Sequence, residues 1–411
     1  MVQPFKTLSR ILAGVVFTSL VAVASPLPAS ELQIEVRGEP APVAASRIVR
    51  WSDEAIAIEG PSGAKTFDRQ QVLSIGFPPR KPESEGTSCV WTTAGDVLIA
   101  GDLRLADEVL HVRLSLPTSV EIPVPLEEVR AIRRLEGERL SRFPTRPRDA
   151  EPADDVVFLS NRDILRGEFV GLNRGELQFR SSVGETKIPE AGYRGILFSP
   201  ELLTTRPVPR RHETVELVNG TNLVVDSTQF DPSDSRWRFR RDADELAISE
   251  DAMVQIQFLT DRVRPLSKFP PVAIRRTPFL PGLSEVAEAD SPAAPPVAVI
   301  GGRALCQGLA GTGRTRWEFE IPPTAAEFRS SIGLPDQVGA AGSARFRIEL
   351  DGVDAYRSDL LRGGGTRQRV PPVSLAGKKR LALVVDYGEN WDVLNEGVWI
   401  DPLVLFEAAA R

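Results

Sequence analysis

The chain has 411 residues, 42% hydrophobic and 26% charged, with a formal net charge of −6. That balance argues against nucleic acid as a partner, because phosphate binding needs a basic face. Two His and two Cys are too few for a His/Cys zinc site, an iron–sulfur cluster, a disulfide scaffold or a Cys–His protease.

Residues 1–10 carry Lys6 and Arg10 and no acid. Residues 11–24 run apolar and close on Ala22-Val23-Ala24. A charged start, an apolar stretch and small residues at its end predict a secretory signal peptide over 1–24. The run is shorter than the about 20 residues a membrane span needs. The expectation is a secreted or periplasmic protein with no membrane span after cleavage.

One pattern then recurs four times. Short strands centred on Ile75, Ile132, Ile196 and Ile256 lie 57, 64 and 60 positions apart. Upstream of the last three stand Gly95-Asp96, Asn161-Arg162-Asp163 and Asn219-Gly220, which are turn chemistry. The first copy has Gly38-Glu39-Pro40 in that place. Alternating stretches such as Trp237-Arg238-Phe239-Arg240 predict strands with one wet face. These features predict small β repeats over 31–80, 88–136, 154–200 and 212–262. The turn-and-strand pattern resembles small SH3-like or Sm-like barrels, with a four-bladed propeller as the alternative of equal period. Such units bury little core alone and are expected to lean on one another.

Prolines at 265, 270 and 271 predict a Pro-rich linker over 263–275, and residues 285–296 are a small-residue stretch rich in Ala and Pro. Longer strands follow, among them Arg316-Trp317-Glu318-Phe319-Glu320-Ile321 and residues 344–350, 380–385 and 398–406. Six to eight antiparallel strands without helical periodicity predict a jelly-roll β-sandwich over 276–408. The whole chain is therefore expected to be all-β.

Five blocks in this region carry a resemblance. Thr277-Pro278-Phe279-Leu280 with Gly308-Leu309-Ala310-Gly311 comes first, and Phe328-Arg329-Ser330-Ser331-Ile332-Gly333-Leu334-Pro335-Asp336 second. Then come residues 342–352, residues 381–388, and Trp399-Ile400-Asp401-Pro402. Their order and spacing are similar to the NPCBM domain, a carbohydrate-binding module of bacterial exported proteins. The resemblance implies a galactose-binding-like sandwich and a polysaccharide or glycan as partner. Thr312-Gly313 and Leu394-Asn395 depart from the family, which often has His and Asp-His there.

Trp391, in the polar stretch Glu389-Asn390-Trp391-Asp392, has the residue types that stack on a sugar ring and take its hydroxyls, and the same neighbours equally fit a solvent-shielded loop plug. The expected carbohydrate site is Trp391 with Tyr387, Asn390, Asp392 and Tyr356, whereas Trp399 lies in an apolar strand and reads as core. Asp386, Glu389 and Asp392 offer hard oxygens that could hold a structural Ca²⁺ ion, although scattered loop acids are more often only solvated. Cys89 and Cys306 fall in different modules and are expected as separate buried thiols. No G-x-S-x-G elbow, phosphate loop or carboxylate pair stands out, so no catalysis is expected. The reading is an exported, non-enzymatic carbohydrate-binding protein. Its alternative is an envelope structural protein that contacts other envelope proteins, with a polysaccharide hydrolase third.

Overall fold

The computed structural model describes residues 31–407 except 79, 81–85, 136–149, 174, 234–235, 278, 280–297, 306 and 392. The predicted leader (1–24), the stretch 285–296, Cys306 and Asp392 lie outside the described residues. Among the described residues the chain is all-β, broken by single 3-10 turns. No helix there is long and apolar enough to cross a membrane.

Each anchor isoleucine sits in a strand: Val72–Gly76, Val129–Arg134, Tyr193–Leu197 and Met253–Leu259. All four side chains are buried. Each anchor strand pairs antiparallel with the first strand of its own unit, in one register. Ile75 faces Ile34, Ile132 faces Val90, Ile196 faces Val157 and Ile256 faces Val215. A 3-10 turn leads into the anchor strand at Leu126–Glu128, Glu190–Gly192 and Glu250–Ala252.

The anchor strands also pair with each other. Ile132 faces Ile196 and Ile75 faces Ile256. Units two and three thus join through their last strands, and so do units one and four. A third contact, Val97 opposite Asn222, links units two and four. The units run three–two–four–one along one continuous sheet. They meet edge to edge, not around a central axis as propeller blades do. The apolar core runs through all four units, which lets modules this small share buried area that none could supply alone.

The C-terminal part is a β-sandwich of two six-stranded antiparallel sheets. One is built on Gly397–Phe406 and Ala325–Gly333, the other on Arg314–Glu320, Arg380–Asp386 and Ser343–Leu350. Period-two alternation in Arg314–Glu320 sends Trp317 and Phe319 inward. There they join Phe328, Phe346 and Trp399 in a common core. Trp399 is 0% exposed and meets Phe346 edge-on at 5.4 Å, so it is core as its apolar strand predicts.

Residues 263–275, expected as a Pro-rich linker, are instead built into the sandwich. Val263–Pro265 pairs with the strand of Leu403–Leu405, and Ala273–Thr277 is an edge strand beside Arg314–Glu318. Proline is tolerated at sheet edges, which is why a Pro-rich composition misleads here. Leu73, Leu259, Val263, Leu403 and Leu405 form one buried cluster between the repeats and the sandwich. Around it Arg37 donates to the Phe406 carbonyl at 2.7 Å, and Arg329 and Arg369 both grip Glu35. The sandwich is docked against units one and four, not carried on a free tether. Cys89 is a buried free thiol whose pKa burial pushes up.

Candidate functional site

The strand Arg380–Asp386 leaves the sandwich, loops through 387–396 and re-enters as Gly397–Phe406. The base of this loop is pinned by Asn395, only 1% exposed. Its Oδ1 accepts the Gly313 N–H at 2.6 Å and its Nδ2 donates to the Asp386 carbonyl at 3.1 Å. Ser343 adds two clamps: its Oγ accepts the Glu389 N–H, and its own N–H donates to the Leu394 carbonyl. Gly388 lies so close that an added Cβ would stand 2.1 Å from the Ser343 carbonyl oxygen. Only glycine fits there.

The tip rises from this base. Trp391 has φ 60° and Leu394 φ 54°, left-handed conformations that cost a non-glycine residue about 1 kcal/mol or more. Trp391 stacks on Phe279 with centroids 4.1 Å apart and planes 23° apart. Tyr387 meets Phe279 edge-on at 5.7 Å, donates its hydroxyl to the Thr277 carbonyl at 2.5 Å and lies under the Arg314 guanidinium. Despite this backing Trp391 stays 56% exposed, with Val393 at 61% and Leu394 at 45% beside it. The loop thus holds an aromatic platform out in solvent on a rigid base.

Its polar rim is organised by arginines. The Asp386 carboxylate accepts from Arg314 at 2.8 Å and Arg347 at 3.2 Å. Burial works to raise its pKa, but these partners and the Tyr387 N–H hold it below the usual range. Glu389 accepts two bonds from Arg362, which keep its pKa down. Glu396 accepts from Gln337. Asn390 donates to the Ala341 carbonyl at 3.1 Å. Asp386 and Glu389 are therefore engaged by guanidinium groups, and among the described residues no three His, Cys, Asp or Glu side chains gather as cation ligands.

Of the expected carbohydrate residues, the structure brings Trp391, Tyr387 and Asn390 into one loop. Asp392 lies outside the described residues. Tyr356 does not join them. It pairs with Ile348, three positions along its strand from Arg345, which faces Asp386 at the start of the loop, and hence about 10 Å along the strand at about 3.3 Å per residue. It is half-buried against the sandwich core, and burial raises its phenol pKa. Phe279, which no local pattern connects to Trp391, is the residue that completes the platform. Asn395 stands where the NPCBM pattern often has His, and in this fold its amide is consumed by internal bonds.

Residues 282–404 match the NPCBM/NEW2 domain. The blocks from Gly308 onward that resemble the NPCBM domain in sequence fall within this match and lie largely on strands of the sandwich. Among solved structures, a CBM51 module from Clostridium perfringens GH95 in complex with methyl-galactose is 18% identical. That match covers 34% of this chain and 99% of the module, at a TM-score of 0.28. The CBM51-2 and INT domains of Clostridium perfringens ZmpB, in complex with GlcNAc, are 15% identical over 48% of this chain, at a TM-score of 0.31. This chain covers only 44% of that structure. Tandem CBM51 modules of a Streptococcus pneumoniae family 98 glycoside hydrolase are 11% identical over 61% of this chain and 88% of theirs, at a TM-score of 0.24. No curated protein matches the sequence.

Proposed function

We infer that the protein is an exported glycan-binding protein whose NPCBM domain takes a sugar ring on the face formed by Trp391, Phe279 and Tyr387, without a catalytic centre of its own. The observation that carries this reading is Trp391: a bulky residue kept largely exposed in a costly backbone conformation by a fully bonded loop base. Strain of that kind persists where the surroundings over-determine it, and it clusters at ligand-contacting sites. The aromatic face supplies apolar contact for a pyranose, and Asn390 with the Glu389–Arg362 pair supplies directional polar groups at its rim. The NPCBM match over the same strands supports a sugar as the ligand.

The exposed Val393 and Leu394 beside the platform favour a second reading, in which the same loop docks on an envelope protein. A glycan array probed with the purified protein and with Trp391→Ala separates the two. The first reading expects retention of a defined set of glycans and a loss of about ten-fold or more in the variant. Failure to retain any glycan, or equal retention by a folded Trp391→Ala protein, overturns it.

A further inference from the structure

Units two and four mate through one self-complementary surface. Counting from the first-strand residue opposite each anchor isoleucine, Val97 in unit two corresponds to Asn222 in unit four, and these two face each other across the junction. The contacts on either side are reciprocal. Asp96, just before Val97, accepts the Val224 N–H at 2.7 Å. Thr221, just before Asn222, accepts the Ile99 N–H at 3.0 Å. Asn219 adds a donor to the Ile99 carbonyl at 3.3 Å. The two N–H bonds are reciprocal, as in a local two-fold contact, whereas the Asn219 bond and the Arg241–Asp96 ion pair run one way. The junction is dry: Val97, Asp96, Thr221 and Asn222 are all buried.

Unit three carries the same turn-and-strand surface, and among the described residues no strand pairs with it on that side. By the same count Ile164 stands where Val97 and Asn222 stand, Asp163 where Asp96 and Thr221 stand, and Asn161 where Asn219 stands. The turn geometry is the same too: the Asp163 N–H donates to Asn161 Oδ1 as the Thr221 N–H does to Asn219 Oδ1. Yet Asn161 and Asp163 are exposed, and Ile164 is 38% exposed. Unit one is different. Ile34 faces Val43 where Val90 faces Leu98, so Pro42 falls at the mating position and Ala41 at the acceptor position. Proline has no N–H to give and alanine no side-chain oxygen to accept, so that edge is blunted.

We propose that unit three is a homodimer interface, in which residues 162–166 of two copies pair antiparallel across a two-fold axis centred on Ile164, repeating between chains the junction of units two and four within the chain. The partner is a second copy of this chain because the surface is complementary to itself. With unit one blunted the contact closes as a dimer and does not propagate into a filament. Two things differ from the internal junction: there Asp96 is ion-paired with Arg241 at 3.1 Å, whereas in unit three Asp163 accepts instead from Asn161 Nδ2 at 2.6 Å, and the charge balance is not the same. Unit two supplies an acid and unit four a hydroxyl, whereas two copies of unit three supply two Asp163 carboxylates. Asp163 is exposed in the single chain, and where the two carboxylates keep contact with solvent their mutual repulsion is screened by salt, so the dimer tightens as salt rises.

Sedimentation velocity of the purified protein up to about 100 µM, well above the Kd of an ordinary protein interface, should give twice the chain mass. Ile164→Arg should weaken the dimer by about ten-fold or more at unchanged melting temperature. Asp163→Thr, which reproduces the acceptor of unit four without the charge, should tighten it and remove its salt dependence. Ile164→Cys should form a disulfide-linked dimer on oxidation, since directly opposed strand residues lie within disulfide reach at about 5 Å between Cα atoms. A monomer at all concentrations overturns the proposal. So does a dimer indifferent to Ile164→Arg, or one that Ile164→Cys leaves uncrosslinked.

Discussion

Trp391 and Trp399 lie eight residues apart on one loop and its following strand, and their alanine variants should behave as opposites. Trp399 is 0% exposed, with Phe346 edge-on at 5.4 Å and Phe328 at 6.4 Å. A buried tryptophan hides about 200 Å² or more, worth about 5 kcal/mol at about 25 cal/mol per Å². Partial collapse of the cavity returns some of this, so Trp399→Ala should cost about 3–5 kcal/mol. A loss of that size consumes most of the stability of an ordinary domain. Trp391 is 56% exposed and its main packing partner is Phe279. Its removal should cost about 1 kcal/mol or less. Because its φ is 60°, Trp391→Gly should be more stable than Trp391→Ala by about 0.5–1 kcal/mol. Urea unfolding followed by circular dichroism measures all three variants. Near-native stability of Trp399→Ala with unfolding of Trp391→Ala would refute the division into core and platform. Equal stability of the glycine and alanine variants would refute the strain.

Two more predictions follow from the buried polar groups. Glu213, facing Arg69 at 3.0 Å, has its pKa raised by burial to about 7, against the pull of Arg69, and burial likewise lowers that of Arg69. The fold therefore favours protonated Glu213, and this contribution is complete below the ordinary carboxylate range near pH 4.5 and lost as pH rises through about 7. At about 1.4 kcal/mol per pH unit the whole contribution is about 3.5 kcal/mol, of which about 2–3 kcal/mol is lost between pH 5 and pH 8, so the wild type should lose that much more stability over this interval than Glu213→Gln. Asn395→Ala leaves the Gly313 N–H and the Asp386 carbonyl without their partner. It should cost about 2–3 kcal/mol in urea unfolding and weaken glycan retention although Asn395 itself is buried; retention equal to wild type would show that the loop base does not position the platform.

What could be read from the chain and what could not divide along a physical line. The four isoleucine strands were legible because burial on one face imposes a period-two pattern, and because copies of one unit repeat it at near-constant spacing. The partner of each anchor strand in the next unit was not. Ile75 faces Ile256 and Ile132 faces Ile196, and an antiparallel pair formed by two already apolar strands leaves no mark that says which two. Residues 263–275 were misread for a related reason. Proline excludes a central strand but suits an edge, and composition cannot tell an edge from a tether. At the candidate site, the burial of Trp399 was legible from its apolar neighbours, whereas the polar neighbours of Trp391 fit an exposed platform and a shielded loop plug equally. Phe279 was not legible, since it reaches Trp391 only after the edge strand Ala273–Thr277 has been laid beside the sheet. Asn395 shows the limit from the other side. Read alone, it is a polar residue in a loop and a departure from a family pattern. In the fold both ends of its amide are spent on the backbone, and it holds the loop from which Trp391 projects. A polar side chain in a loop declares its chemistry in the sequence. Which backbone groups it serves is decided by strands that arrive from elsewhere, and at this site that distinction separates the residue that would touch sugar from the residue that presents it.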